Sequence, residues 1–163
     1  MRKVIFLLIV ILSLPTNLWA SDPIIGTWKL NLEKSGEIEK NRIKELIEVY
    51  KEIDSGLIEL TRIGTWTDGA PISGKYTTPK QGGEANLIQA PRPKMAPKGE
   101  IRGSIIGIFV SPFEYYTVFL RDGKQVQLIH KTISDDGKTM NVTYRSINPD
   151  GSLSERKQLF EKQ

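Results

Sequence analysis

The sequence predicts an all-β protein, an up-and-down antiparallel β-barrel of eight to ten strands. Polar turns containing glycine recur from residue 54 onward, at about the spacing of one strand and one turn. Asp-Gly pairs between apolar segments favour hairpins, because both residues tolerate tight turns. The segments between the turns alternate apolar and polar residues, as half-buried strands do. Many consecutive antiparallel strands must protect their edges, and closure into a barrel removes those edges.

Residues 1–20 have the organisation of a secretory signal peptide. They begin with the positive Arg2 and Lys3, continue with an apolar run of nine residues, and end at Ala20, a small residue suited to cleavage. The apolar run is too short for a spanning helix, which needs about 20 residues. We therefore expect an exported protein, periplasmic or extracellular, with no transmembrane segment after cleavage. Residues 21–163 then form a single domain.

The composition excludes several classes of function. The chain has no cysteine, which rules out thiol chemistry, iron–sulfur clusters and cysteine zinc sites. Its formal net charge of +4 falls to +2 once Arg2 and Lys3 are removed. Nucleic-acid binding normally requires a concentrated basic surface, so we expect no nucleic-acid partner.

The alternation divides the chain into strands. In residues 139–147, for example, Met140, Val142 and Tyr144 share one face, and the segment is rich in residues that favour strands. Strands are predicted near 24–31, 57–66, 71–78, 84–90, 102–110, 113–121, 124–133, 138–147 and 153–162. Three prolines in 91–103 exclude a central strand there, so this segment is predicted to be a long exposed loop.

The segment 33–53 fits two structures. Its apolar residues have helical spacing and its composition has high helix propensity. Its later apolar residues also fit a strand that pairs back through the turn at 54–56. We favour a short helical or irregular first half, followed by a strand over roughly 44–53.

The stretch GTWKLN, residues 26–31, places a Gly-x-Trp motif in the first predicted strand. With DPIIGTWKLNLEKS at 22–35, DGKTMNVTYRSINPDG at 136–151 and the final FEKQ, the chain resembles lipocalins and the wider calycin group. Within that group, the chain is more similar to small exported bacterial lipocalin-like proteins than to the classical lipocalins. The resemblance implies that Trp28 plugs the closed end of the barrel beside an arginine from a late strand, with Arg156 or Arg145 as the candidate. A guanidinium can stack on an indole face.

Catalytic chemistry has little support in the sequence. His130 is the only histidine, and a lone histidine without cysteines cannot form a typical zinc site. No phosphate loop, nucleophile elbow or dinucleotide fingerprint is present. We therefore expect a protein that is not an enzyme and has no metal and no cofactor. An enzyme based on His130 would require a polar cluster around that residue.

An aromatic group provides the candidate ligand site. Six residues are predicted to line the barrel interior: Phe109, Tyr115, Tyr116, Phe119, His130 and Tyr144. Such a group could line a ligand cavity or simply fill the core, and composition does not choose between these outcomes.

Two functions remain open. The first is non-covalent binding of a small apolar or amphipathic ligand inside the barrel of a monomeric protein. The second is an envelope or secreted protein-interaction module with a filled core. In that case the basic loop 91–103, with Arg92, Lys94, Lys98 and Arg102, is a candidate contact with a partner.

Overall fold

The computed structural model describes residues 22–53, 56–89 and 103–163. The predicted signal peptide, and all of the predicted 91–103 loop except Gly103, lie outside these residues. The described residues form one short helix and ten strands. In chain order these are β1 (Gly26–Leu30), α1 (Glu37–Lys40), β2 (Ile43–Ile53), β3 (Leu57–Trp66), β4 (Pro71–Pro79), β5 (Gly83–Gln89), β6 (Ser104–Ser111), β7 (Glu114–Arg121), β8 (Lys124–Ile133), β9 (Thr139–Ile147) and β10 (Leu153–Lys162).

The ten strands form one closed antiparallel barrel, in which each strand pairs with its neighbours in the chain. The first and last strands close it, with Trp28 opposite Lys162 and Leu30 opposite Phe160. The predicted all-β, up-and-down barrel is therefore confirmed, at the upper end of the predicted strand number. No helix among the described residues is long and apolar enough to span a membrane.

The ambiguous segment 33–53 contains both predicted structures. A single helical turn, α1, precedes the long strand β2. A helix this short is not stable by itself, but Gly36 N–H donates to the Lys157 carbonyl at 3.0 Å and joins the segment to β10. The helix follows β1 and so lies at the opposite end of the barrel from the start of β1.

Trp28 is fully buried in the hydrophobic core, together with Phe160 and Met140. Its indole Nε1 donates to the Ile24 carbonyl at 2.8 Å. Burial of such a large ring stabilises the fold through its apolar area, and the buried indole N–H has its partner.

The cation beside Trp28 is a lysine, which corrects the pairing inferred from the resemblance to lipocalins. Lys162 Nζ lies 5.2 Å from the centroid of the indole and donates to the Pro23 carbonyl at 2.9 Å. Lys162 lies directly opposite Trp28 in the closing register, and so it reaches the ring first. Arg156 lies six residues earlier on the same strand, away from the indole, and Arg145 is exposed, with Nε 3.0 Å from a carboxylate oxygen of Glu155.

The backbone conformation at residue 26 explains why the Gly-x-Trp motif has a glycine there. Its φ is +136°, a conformation that residues with side chains rarely adopt. A Cβ at this position would also lie 2.8 Å from Cε of Lys162. The motif therefore lets the chain turn into β1 directly beneath the lysine that covers Trp28.

Candidate functional site

A small cavity lies inside the barrel, near the end where β1 begins. Its volume is about 30 Å³, and its apolar wall is formed by Ile24, Ile58, Leu60, Ile105, Phe109 and Tyr115. A buried water occupies about 10–15 Å³ on this measure. The cavity therefore has room for about two waters, or for a small part of a larger molecule.

The other wall of the cavity is polar. It contains the side chains of Tyr50, Tyr76, Thr78, Thr117 and Lys131. Thr78 is only 9% exposed, and its Oγ1 has no hydrogen-bond partner among the described residues. Because an unsatisfied buried hydroxyl is unfavourable, the cavity provides an unmet donor and acceptor for a guest or a water.

An ion cluster adjoins the polar wall. We use this name for Glu48, Tyr50, Arg62 and Lys131. Tyr50 donates to Glu48 Oε2 at 2.6 Å, and Lys131 Nζ donates to the Tyr50 hydroxyl oxygen. Arg62 Nε lies 2.9 Å from Glu48 Oε1, and Lys131 Nζ lies 3.8 Å from Glu48 Oε2. The single buried carboxylate of Glu48 is thus the counter-ion of two cations.

The surroundings keep the carboxylate charged and the tyrosine neutral. Burial alone would raise the pKa of Glu48, but the charges of Lys131 and Arg62 and the hydrogen bond from Tyr50 outweigh it and lower that pKa. Burial, and then the charge of Glu48, raises the pKa of Tyr50 well above its ordinary value. Tyr50 therefore remains a hydrogen-bond donor at neutral pH.

A hydrogen-bonded chain continues from the ion cluster to α1. Arg62 donates to the Tyr144 hydroxyl at 3.4 Å, and Tyr144 donates to Gln158 Oε1 at 2.9 Å. Gln158 Nε2 donates to Glu39 Oε2 at 2.8 Å. Arg156 completes the chain, because its Nη1 donates to Glu39 Oε1 at 2.6 Å while its guanidinium lies 4.6 Å from the Tyr144 ring centroid.

The charges along this chain sum to one excess positive charge, from Arg62, Lys131 and Arg156 against Glu39 and Glu48. Arg62 and Arg156 are partly exposed, with 22% and 21% of their side chains accessible, so solvent screens them, whereas Lys131 is buried. Uncompensated charge is costly in a low-dielectric interior. The interior therefore favours an additional anionic group, and the cavity beside Lys131 is the space where one can enter.

Four of the six residues predicted to line the barrel interior do lie on the inner face of the barrel. Phe109 and Tyr115 border the cavity and pack edge to face, with ring centroids 4.7 Å apart. Phe119 packs against the hydrophobic core, and Tyr144 is buried within the hydrogen-bonded chain. The structure thus brings Phe109 and Tyr115 together at the cavity.

The interior placement of Tyr116 and His130 was wrong. Tyr116 is adjacent to the cavity, but its ring stacks on His130 on the outer face, with centroids 4.3 Å apart, and both side chains contact Glu114 Oε1 at 3.0 Å. The inner face of β8 instead carries Ile129, Lys131 and Ile133, all buried. The inner and outer faces of β8 are therefore the reverse of those that an interior His130 requires.

The sequence-based prediction missed the charged residues of the interior. Lys131 alternates with the buried Ile129 and Ile133, and Glu48 lies between the buried Leu46 and Tyr50. A charged residue at the centre of an apolar strand face was the available signal. Among the described residues, no group of histidine, cysteine or acidic side chains could hold a metal ion.

Comparisons with known proteins show the fold. No protein-family model matches the sequence, and no curated protein matches it. Among solved structures, the wild-type fluorescent protein UnaG matches with a TM-score of 0.53 and 14% identity, over 85% of this chain and 96% of that one. A point mutant of UnaG matches with a TM-score of 0.55 and 13% identity, over 88% and 99%. Fold and site together define the class: a closed, ten-stranded antiparallel β-barrel with a charged interior.

Proposed function

We propose that the protein binds a small amphipathic molecule inside the barrel and does not catalyse a reaction. The single observation that carries this proposal is the buried ammonium of Lys131 on the polar wall of a cavity whose opposite wall is apolar. Ligand pockets typically combine apolar walls with a few polar groups that orient the guest. The charge favours a guest with an anionic group.

The anionic group would bind beside Lys131 and Thr78. An ammonium carries three donors, and the contacts of Lys131 Nζ within the ion cluster are the Tyr50 hydroxyl and, at 3.8 Å, Glu48. The Thr78 hydroxyl, without a partner among the described residues, borders the same space. The apolar part of the guest would contact the wall formed by Ile24, Ile105 and neighbouring residues.

Binding of a guest requires side chains to move. A volume of about 30 Å³ holds a headgroup at most. Phe109 and Tyr115 border the cavity near the β1 end, and Tyr115 is anchored by its hydroxyl, 2.7 Å from Asp22 Oδ1 and 2.6 Å from the Pro112 carbonyl oxygen. Displacement of this aromatic pair would enlarge the cavity toward the end of the barrel.

The test compares two amphiphiles with the same chain length, dodecanoate and dodecanol, by isothermal titration calorimetry and native mass spectrometry. We expect dodecanoate to bind with 1:1 stoichiometry and dodecanol to bind more weakly. Lys131→Met should reduce dodecanoate affinity about tenfold or more, the equivalent of one lost charge-assisted contact. Lys157→Met, an exposed lysine on β10, is the matched control and should bind as the wild type does. Equal affinity for both amphiphiles in the wild type and in Lys131→Met would contradict the anionic site.

The second candidate is an interaction module with a filled core, and the small volume of the cavity favours it. It predicts that neither amphiphile is retained and that purified protein carries no cargo. Residues 91–102 of the loop 91–103 lie outside the described residues, so the role of the loop in such a contact is part of this second proposal. Deletion of that loop should abolish capture of a partner from an envelope fraction.

Export is also part of the proposal. Its support is the organisation of residues 1–20, which matches a signal peptide. The intact mass of the protein recovered from a periplasmic or culture fraction should correspond to residues 21–163. Recovery of the full-length chain from the cytoplasm would contradict export.

A further inference from the structure

The outer face of three neighbouring strands is apolar, which is unusual on the surface of a barrel. On β6, Ile108 is 45% exposed and Val110 is 58% exposed. The outward residues of β7 and β8 continue this surface with half-buried side chains. The apolar face, as we call it, consists of Ile106, Ile108, Val110, Tyr116, Val118, Leu128 and the ring of His130.

Polar residues border the apolar face on both sides and at one end, where Glu114 on β7 contacts Tyr116 and His130. The outer face of β5 presents the exposed Glu84 and Asn86, and the outer face of β9 presents Asn141 and Arg145, also exposed. A contiguous apolar patch with a polar rim is the organisation of a protein–protein interface. The strand order β5-β6-β7-β8-β9 places the patch centre on β7.

One row of residues crosses all five strands. In the observed registers, Glu84 lies opposite Ile106, Ile106 opposite Val118, Val118 opposite Leu128, and Leu128 opposite Arg145. The row thus begins with an anionic residue, passes through three apolar residues and ends with a cationic residue. A surface with this pattern is complementary to a copy of itself.

We propose that the apolar face binds a second copy of this chain, through a two-fold axis that runs parallel to β7. Such an axis maps the patch onto itself, as an isologous contact requires. It places Glu84 of each copy opposite Arg145 of the other. The Arg145 guanidinium, whose Nε lies 3.0 Å from Glu155 Oε2 of its own chain, would there form a second ion pair, and the dimer would contain two such pairs at the rim. An axis perpendicular to the strands would instead bring Glu84 near Glu84 and Arg145 near Arg145, and like charges across an interface are unfavourable.

The same symmetry matches the apolar residues. Ile106 of one copy meets Leu128 of the second copy, and Val118 meets its equivalent at the axis. The apolar face covers three strands and about five residues along a strand, which is roughly 14 Å in each direction, or about 200 Å² per copy, from standard strand spacings. That is about a quarter of the area that each partner buries in a standard interface. The dimer is therefore weak and forms at high protein concentration, in contrast to the monomer expected from the sequence.

Sedimentation equilibrium over a range of protein concentrations tests the dimer and its orientation. Glu84→Lys and Arg145→Glu should each raise the dissociation constant about tenfold or more, because each creates like-charge contacts at the rim. The double variant exchanges the two charges and should restore dimerisation. Rescue in the double variant requires that the two residues meet across copies, so an unrelated partner protein cannot produce it.

An apolar substitution provides the matched control. Ile108→Ser should weaken the dimer, whereas Ile63→Ser should not, because Ile63 is 55% exposed on β3, outside the apolar face. Circular dichroism establishes that each variant is folded. A wild type that remains monomeric at every concentration, or charge variants without rescue, would overturn the proposal. Binding of the wild-type monomer to lipid vesicles through Ile108 would assign the face to a membrane instead.

Discussion

At the scale of single residues, the buried carboxylate of Glu48 has the largest electrostatic consequences. It lies beside two cations and accepts a hydrogen bond from Tyr50, all within the barrel. Buried ion pairs are not strongly stabilising compared with apolar packing, but removing one partner leaves the others uncompensated. The cost of losing Glu48 therefore exceeds the cost of losing an exposed carboxylate.

We expect Glu48→Gln to lower the free energy of unfolding by about 3 kcal/mol at pH 7, because Lys131 and Arg62 then lose their counter-charge. Urea denaturation followed by circular dichroism measures this change. Glu155→Gln, which removes an exposed partner of Arg145, is the control and should change stability by less than about 1 kcal/mol.

The same variant has a predicted pH dependence. The pKa of Glu48 lies below its ordinary value of 4.5, so its ionisation stabilises the fold above that pH. This stabilisation is lost as the pH falls through the folded-state pKa. The difference in the free energy of unfolding between wild type and Glu48→Gln should therefore become smaller as the pH falls below about 4.5. A difference that stays constant down to about pH 3, well below the ordinary carboxyl pKa, would show that Glu48 does not act through its charge.

At the scale of elements, α1 shows how a tertiary contact maintains a helix that could not form alone. Its four residues provide one turn, and an isolated turn is unstable in water. Glu39 is completely buried and contacts both Arg156 and Gln158 on β10. Those two contacts anchor α1 against the barrel, at the end opposite the start of β1.

We expect Glu39→Gln to destabilise the protein by about 3 kcal/mol and to speed amide exchange in residues 37–42, because Arg156 loses its buried counter-ion. Glu37 on the same turn pairs with Lys40 at 2.6 Å but is 78% exposed. Glu37→Gln should therefore change stability by less than about 0.5 kcal/mol. Equal effects of the two variants, in denaturation and in exchange, would contradict this anchoring role.

At the scale of the whole molecule, closure between β1 and β10 leaves no free edge in the barrel. Three residue pairs join the two strands, and they involve the fully buried side chains of Trp28 and Phe160. An open edge would expose unpaired backbone groups and favour association. The last residues of β10 are therefore necessary for a monodisperse fold.

Deletion of residues 160–163 should abolish cooperative thermal unfolding and cause aggregation, because it removes Phe160 and all three closing pairs. Deletion of Gln163 alone removes one backbone hydrogen bond, from its N–H to the Thr27 carbonyl, and should leave the transition cooperative. Circular dichroism melts and size-exclusion chromatography distinguish the two. A sharp transition in the longer deletion would mean that the fold does not require the closure between β1 and β10.

Patterns within the sequence were enough to predict the class of fold and the positions of most strands. Turn chemistry and alternation are local properties, so the Asp-Gly turns and the period of two placed β7, β8 and β9 within one or two residues of their observed limits. Local signals also placed the strand of 33–53 in its second half. The resemblance to lipocalins implied a buried Trp28, and the structure places it in the core.

The inward or outward orientation of each strand face, and the pairing of the charged side chains, depend on the tertiary structure. Lys131 faces inward because Tyr50, 81 residues away in the chain, accepts its hydrogen bond, and because Glu48 neutralises part of its charge. Lys162, rather than Arg156, covers Trp28 because the closing register places it there. Contacts of this kind depend on the register of distant strands, which alternation within one strand does not specify.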